Sequence, residues 1–240
     1  MNNKFSRTEM LIGKDALATL SKMRVAVFGA GGVGGYVIEA LARSGVGAID
    51  VIDNDTVSES NLNRQIIALT STIGRLKTET VRKRVLDINP DCSVTCFETF
   101  VLPENINKFD FSVYDYIVDA IDTVSGKIAI IEKAYSEGIP VISSMGTGNK
   151  LDPSQLKITD IYKTNVCPLA KVMRKEMKDR GVKKLNVVYS EEIPRTPILT
   201  DEQMAEENGK RRRTPASISF VPPAAGLLIA SKVIKDLSEV

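Results

Sequence analysis

Five glycines fall within seven residues at Gly29-Ala30-Gly31-Gly32-Val33-Gly34-Gly35, and the flanking residues leave that run little conformational choice. Before it stands RVAVF (residues 24–28), which reads as a buried strand; after it stands YVIEALAR (residues 36–43), which reads as a helix closed by Ser44-Gly45. The spacing Gly29-x-Gly31-x-x-Gly34 therefore sits on a strand-to-helix turn. Glycine there lets backbone amides close around an anion at the positive end of a helix. A second strand, residues 48–52, ends at Asp53, where a carboxylate accepts from ribose hydroxyls. The pattern predicts a nucleotide at the carboxyl ends of a sheet and leaves open which nucleotide.

Alternation of strand and helix continues. Residues 77–89 read as a charged amphipathic helix stopped by Pro90, 93–97 as a third strand and 116–121 as a fourth that Asp122 ends. A helix at 125–137 and a fifth strand at 140–144 follow. Residues 1–22 read as an amphipathic helical lead-in, with Met10, Leu11, Ala16, Leu17 and Leu20 at helical spacings. The expected fold is α/β: a Rossmann-like, mainly parallel sheet with helices on both faces. Past residue 150 the character changes. Strands at 158–161 and 186–189 bracket a basic helix at 168–180. Residues 190–215, with Pro194, Pro197 and Pro215, read as a long mobile loop. A short strand at 217–221 and a closing helix at 224–237 end the chain. One domain over residues 1–240 is expected, with 1–150 binding nucleotide and 151–240 completing it on the substrate side.

Composition excludes several chemistries. Histidine is absent, which removes histidine triads, histidine proton shuttles and histidine-ligated zinc together. The three cysteines, Cys92, Cys96 and Cys167, form no CxxC pair. Their odd, sparse count and the lack of a signal peptide indicate a cytoplasmic location. No apolar stretch reaches the roughly 20 residues of a membrane span. Chemistry must come from carboxylates, arginine, lysine, backbone amides or a lone thiol. Of the thiols, Cys92 and Cys96 read as packing residues. Cys167, followed by Pro168, reads as structural rather than nucleophilic, because its activation would need a lysine or a helix N-terminus.

A nicotinamide dehydrogenase needs only the glycine turn and Asp53. This chain has more: Arg64 and Lys77 are two cations just past the nucleotide strand, and Asp122 ends the fourth strand. Cations of that kind, with magnesium, offset the charge of a triphosphate. GAGGVGGYVIEALARSGVG, DNDTVSESNLNRQ, GRLK and AIDT together resemble the ubiquitin-activating-like adenylyltransferases, the ThiF/MoeB/HesA superfamily, over about residues 5–150. The resemblance implies ATP and Mg2+ as cofactors. It implies Gly29, Gly31, Gly32 and Gly34 at the phosphates and Asp53 on the ribose. It further implies Asp55, Asn61, Arg64, Gln65 and Lys77 around the triphosphate, Asp122 on magnesium, and a homodimer in which Arg7 reaches the neighbouring site.

Relatives that activate ubiquitin-like sulfur carriers commonly have two CxxC pairs, which this chain lacks. That activity, with its cysteine desulfurase or sulfur-acceptor partners, is therefore the second reading. The tail instead resembles the branch that acts on tRNA threonylcarbamoyladenosine, through CPLAK (residues 167–171) and KRRRTPASISFVP (residues 210–222). That branch adenylates the threonine carboxylate of the modified base at tRNA position 37, and the adjacent ureido group closes a ring as AMP leaves. Local charge fits a polyanion partner. Residues 171–184 carry seven cations against Glu176 and Asp179, with Lys171 and Arg174 expected to face tRNA beside Arg211, Arg212 and Arg213.

Overall fold

The computed structural model describes residues 4–208 and 214–240. Two short helices, α1 (Ser6–Ile12) and α2 (Lys14–Leu20), lead into β1 (Arg24–Phe28), α3 (Gly34–Arg43), β2 (Ala48–Ile52), α4 (Lys77–Ile88) and β3 (Ser93–Phe97). Then come β4 (Tyr116–Asp119), α5 (Val124–Glu137), β5 (Val141–Ser144), β6 (Leu156–Asp160), α6 (Pro168–Asp179) and β7 (Asn186–Ser190). The chain ends with α7 (Asp201–Glu207) and α8 (Val221–Ser238). The strands form one sheet in the order β3-β2-β1-β4-β5-β7-β6. All neighbours run parallel except β6, which pairs antiparallel with β7.

Both faces of the sheet are covered, which is why the central strands are mainly apolar on both faces rather than alternating. Val25 and Val27 of β1 join Val118 of β4 in a core shared with α3, α4 and α8. Ala26, Phe28 and Ile117 turn to the other face. There Phe28 meets Phe109 edge-on at 5.6 Å, and α5 closes the layer. A third cluster joins α5 to α6 and β7 through Ile131, Met173, Met177 and Val187. Strand order reverses between β1 and β4, so their carboxyl ends diverge and leave a crevice at the switch point.

Several elements differ from the sequence expectation. The lead-in is two helices, because Gly13 turns the chain with φ +87°. Met10 and Leu11 are 78% and 86% exposed, so the apolar spacing of the first helix is not buried on this chain, whereas Leu20 of α2 is fully buried and α2 packs against α8. β4 stops at Asp119, and residues 120–122 form an irregular link to α5. Residues 190–215 contain α7, whose N-terminus Thr200 caps by accepting from the Gln203 amide. No strand forms at 217–221. Val221 opens α8 instead, with prolines in the first turn, where a missing N–H costs no helical hydrogen bond. None of the described helices is long and apolar enough to cross a membrane.

Candidate active site

Two backbone approaches explain the outer glycines of the motif. A Cβ on Gly34 would lie 1.8 Å from the Gly29 carbonyl oxygen. Gly29 has φ +94°, and a Cβ there would meet the Ala120 carbonyl oxygen at 2.7 Å. The β1–α3 turn thus packs backbone to backbone against the link after β4. Gly31 and Gly32 serve differently, facing a cavity of about 300 Å3 at the crevice. A Cβ on Gly31 would stand at ordinary contact distance from Gln65, 3.8 Å, whereas one on Gly32 would crowd Arg64 and Pro222, each at 3.2 Å.

Asp53, at the end of β2, holds that turn. Its Oδ2 accepts from the Ala30 amide at 2.7 Å and its Oδ1 from the Asp55 amide at 2.9 Å. The Lys77 ammonium is 2.7 Å from Asp55 Oδ2 and 3.9 Å from Asp53 Oδ1, with its side chain only 6% exposed. An isolated ammonium that deep would be strongly disfavoured, so the two aspartates keep the cation in the cleft. Asn61 is buried and accepts the Ser58 amide at 3.1 Å. Arg64 is fixed by the Ser60 carbonyl and Asn63 Oδ1, both at 2.9 Å. Gln65 is buried at the same wall, and its Oε1 has no hydrogen-bond partner among the described residues. The orphaned acceptor calls for a donor such as a nucleotide hydroxyl or amino group, while the glycine cradle and the two cations suit the phosphates of a ligand such as ATP.

Asp122 is exposed at the mouth of the cavity. The link that carries it rests on a buried group the sequence reading missed. Lys127, 0% exposed, donates to Asp119 Oδ1 at 3.1 Å and to the Ile121 carbonyl at 2.9 Å. Ser143 donates to Asp119 Oδ2. Also unforeseen were Thr99, Phe100 and Val101, which wall the cavity just past β3. Their position beyond a strand end was the available signal. Among the described residues no group of three or more acidic or cysteine side chains is arranged to hold a metal. A single carboxylate beside a polyphosphate still suits magnesium, which keeps waters and phosphate oxygens as its other ligands.

A second cavity, of about 400 Å3, adjoins the first and shares Gly32, Arg64, Ala120, Ile121 and Asp122 with it. Its far wall comes from the tail: Gly146 to Gly148 after β5, Leu169 on α6, and Thr214, Pro215 and Ser217 before α8. Cys167 is buried behind this wall, its Sγ 3.8 Å from where a Gly146 Cβ would stand, and it packs with the α6 core. Lys150 is also buried and donates to the Glu192 carbonyl at 2.5 Å. Burial holds its ammonium below the ordinary value, and Cys167 and Glu192 oppose this only in part.

Of the residues expected at the site, the crevice gathers Gly29, Gly31, Gly32, Asp53, Asp55, Asn61, Arg64, Gln65, Lys77 and Asp122. Gly34 sits one turn behind them. Arg7 is not among them. Its helix lies at the opposite end of the strands, where Phe5 packs near Gly45 and Lys4 bridges Asp91. Lys171 is exposed on α6, whereas Arg174 is half-buried and donates to the Thr164 carbonyl at 2.8 Å. Arg211, Arg212 and Arg213 lie outside the described residues.

Residues 5–240 match the ThiF family. The chain is 42% identical to tRNA threonylcarbamoyladenosine dehydratase of Bacillus subtilis, over 99% of this chain and 95% of the relative. It is also 42% identical to the Escherichia coli protein of that name, over 98% and 93%. Its fold superposes on the crystal structure of the E. coli dehydratase in complex with ATP with TM-score 0.88 and 35% identity, covering 98% of this chain and 94% of that one.

Proposed function

This chain belongs to the ThiF family, and from that membership we propose that it uses ATP to dehydrate threonylcarbamoyladenosine in tRNA. One observation within the chain carries the reading: a nucleotide-sized cavity opens directly into a second cavity, and the two meet at Arg64 and Asp122. A carboxylate entering from the second cavity meets an α-phosphate at that junction. Attack there expels pyrophosphate and leaves the threonyl group as an acyl-adenylate. The neighbouring ureido group then closes on the activated carbonyl and AMP departs. Hydroxide is a poor leaving group and AMP a good one, so the overall loss of water is driven by ATP. Both steps need positioning and charge compensation more than a protein nucleophile, which suits a chain without histidine.

In this reading Gly29, Gly31, Gly32 and Gly34 shape the phosphate turn, and Asp53 accepts from the ribose with lone pairs its two amide contacts leave unused. Arg64 and Lys77 offset the charge that develops on the phosphates, with Asp55, Asn61 and Gln65 lining their approach. Asp122 holds magnesium, which when bound offsets further phosphate charge. The whole chain acts as one domain, with residues 1–150 serving ATP and 151–240 facing the tRNA. Its place is the cytoplasm.

The position of Arg7 supports a homodimer: far from its own crevice, it is available only to a neighbour's. Mixing Arg7→Ala with Asp122→Ala should restore part of the lost activity through mixed dimers. Lys171 and Arg211 to Arg213 contact tRNA phosphates, and Arg174, which donates to the Thr164 carbonyl, steadies α6. Replacing the three arginines with alanine should raise KM for tRNA and flatten its salt dependence, with ATP affinity unchanged. A cysteine desulfurase or sulfur-acceptor partner rests on resemblance alone. The deciding experiment incubates the protein with ATP, magnesium and threonylcarbamoylated tRNA and weighs the nucleoside. Loss of the mass of one water supports the reading, and an unchanged nucleoside sinks it.

A further inference from the structure

Asn149 has φ +61°, a left-handed conformation that asparagine tolerates better than most residues. Its amide donates to the Ala216 carbonyl at 2.8 Å, and its Oδ1 accepts from the Ala216 amide at 2.7 Å. Its own carbonyl accepts from the Arg195 amide at 2.8 Å. The chain that departs near residue 195 and returns near residue 216 is therefore tied at both ends to one residue. Neighbouring contacts reinforce the tie. The Glu192 carboxylate accepts from the Leu151 and Asp152 amides, and Pro215 lies where a Gly148 Cβ would approach to 2.7 Å. Thr214, Pro215 and Ser217 form the rim of the second cavity, while Asn149 itself lines neither that cavity nor the first.

We infer that Asn149 is a positioning residue: it clamps both arms of the 195–216 excursion so that residues 214–217 present a fixed wall to the modified nucleoside. The inference rests on the reading above. It assigns the recognition of the acyl-bearing nucleoside to a backbone clamp rather than to the glycine motif. Removing the clamp therefore weakens the tRNA side of the reaction and leaves the ATP side alone.

Two variants separate the side chain from the backbone conformation. Asn149→Gly keeps the positive φ and loses Oδ1; Asn149→Asp keeps an acceptor oxygen at the same place. With ATP and threonylcarbamoylated tRNA, Asn149→Gly should raise KM for tRNA on the order of tenfold, the effect of one lost hydrogen bond, with KM for ATP unchanged. Asn149→Asp should return KM for tRNA to near the parent value. Amide hydrogen exchange, which needs no substrate, should show faster exchange at Ala216 in the glycine variant only, with the β1 amides unaltered and with Arg195, which bonds to the retained backbone carbonyl, changed less. Unchanged exchange at Ala216 in Asn149→Gly overturns the clamp itself. Altered exchange with an unchanged KM for tRNA overturns its role toward substrate. Equal losses in KM for ATP and for tRNA overturn the assignment to one side. If the parent protein leaves the nucleoside mass unchanged, the dehydration reading fails first, and the substrate role of the clamp falls with it.

Discussion

The two cavities meet at one seam but are built in opposite ways. The nucleotide cavity draws most of its polar groups from a single stretch, residues 29–77, and its shape is set by steric exclusion between backbones: Gly34 against Gly29, Gly29 against Ala120. The second cavity gathers its far wall from residues 144–148, 169 and 214–222, loop segments steadied by a few hydrogen bonds at Asn149 and Glu192. A cavity of the first kind has few ways to deform, since interpenetrating backbone cannot relax. One of the second kind is adjustable, and its substrate is set by loops that change without disturbing the sheet.

The contrast is sharpened most by Lys77→Ala. If the phosphate side depends on preorganised charge, kcat should fall by about 10^2–10^3-fold, the usual scale for removing one such group, with little change in KM for tRNA. A comparable rise in KM for tRNA would show that the two sides are not separable. Gly34→Ala tests exclusion directly. With only 1.8 Å to the Gly29 oxygen, the added methyl should cost roughly 3 kcal/mol of stability, read by denaturant titration. A variant as stable as the parent would mean the turn can shift. Gly148→Ala is the matching change on the other side, facing Pro215 at 2.7 Å. It should cost only about 1 kcal/mol, because the 215–216 arm is exposed and moves aside, and should raise KM for tRNA several-fold. An equal stability loss in the two glycine variants would break the comparison.

The smallest effect expected is one of acid. Burial raises the affinity of Glu192 for a proton, but the Asp152 and Leu151 amides, Arg195 and Lys150 outweigh it, so the carboxyl lies below its ordinary value of 4.5. The folded state then binds this proton less readily than the unfolded chain. The stabilisation is present above the ordinary value and fades as pH falls through the lowered one. Protection of the Leu151 and Asp152 amides, measured against the intrinsic exchange rate at each pH, should fall below pH 4.5, and Glu192→Gln should remove that step. Protection at these amides that ignores pH would leave Glu192 without the anchoring role.

How much of this was legible before the structure follows the same division. The glycine turn, Asp53, Arg64, Lys77 and Asp122 were readable because strand, turn and helix are adjacent in sequence and steric rules act locally. Lys127 was invisible, since nothing in an isolated helical lysine says that it will be buried against Asp119. The 217–221 strand was misread: Ile218, Phe220 and Val221 suggest a strand, but Pro222 and Pro223 favour a helix start that takes Val221 with it. The split of the lead-in was carried by Gly13 alone, against an otherwise helical spacing. Asn149 carried no signal at all, because its partners are 46 and 67 residues away, at Arg195 and Ala216.

Helix α8, last in the chain, lies directly on the motif near its beginning. A Cβ on Gly226 would stand 2.4 Å from the Val33 carbonyl oxygen, and Pro222 reaches Gly32. During synthesis the glycine motif emerges early and waits for that cover, since chains are made at about 5–20 residues per second, a rate at which upstream segments begin to fold before downstream ones exist. Throughout that interval Val33, Val37 and Leu41 lack the apolar surface of Val221, Ala225 and Ile229 that later buries them. A nascent chain stalled before residue 221 would thus display its nucleotide motif without its cover, an exposed hydrophobic face for chaperones and proteases to recognise.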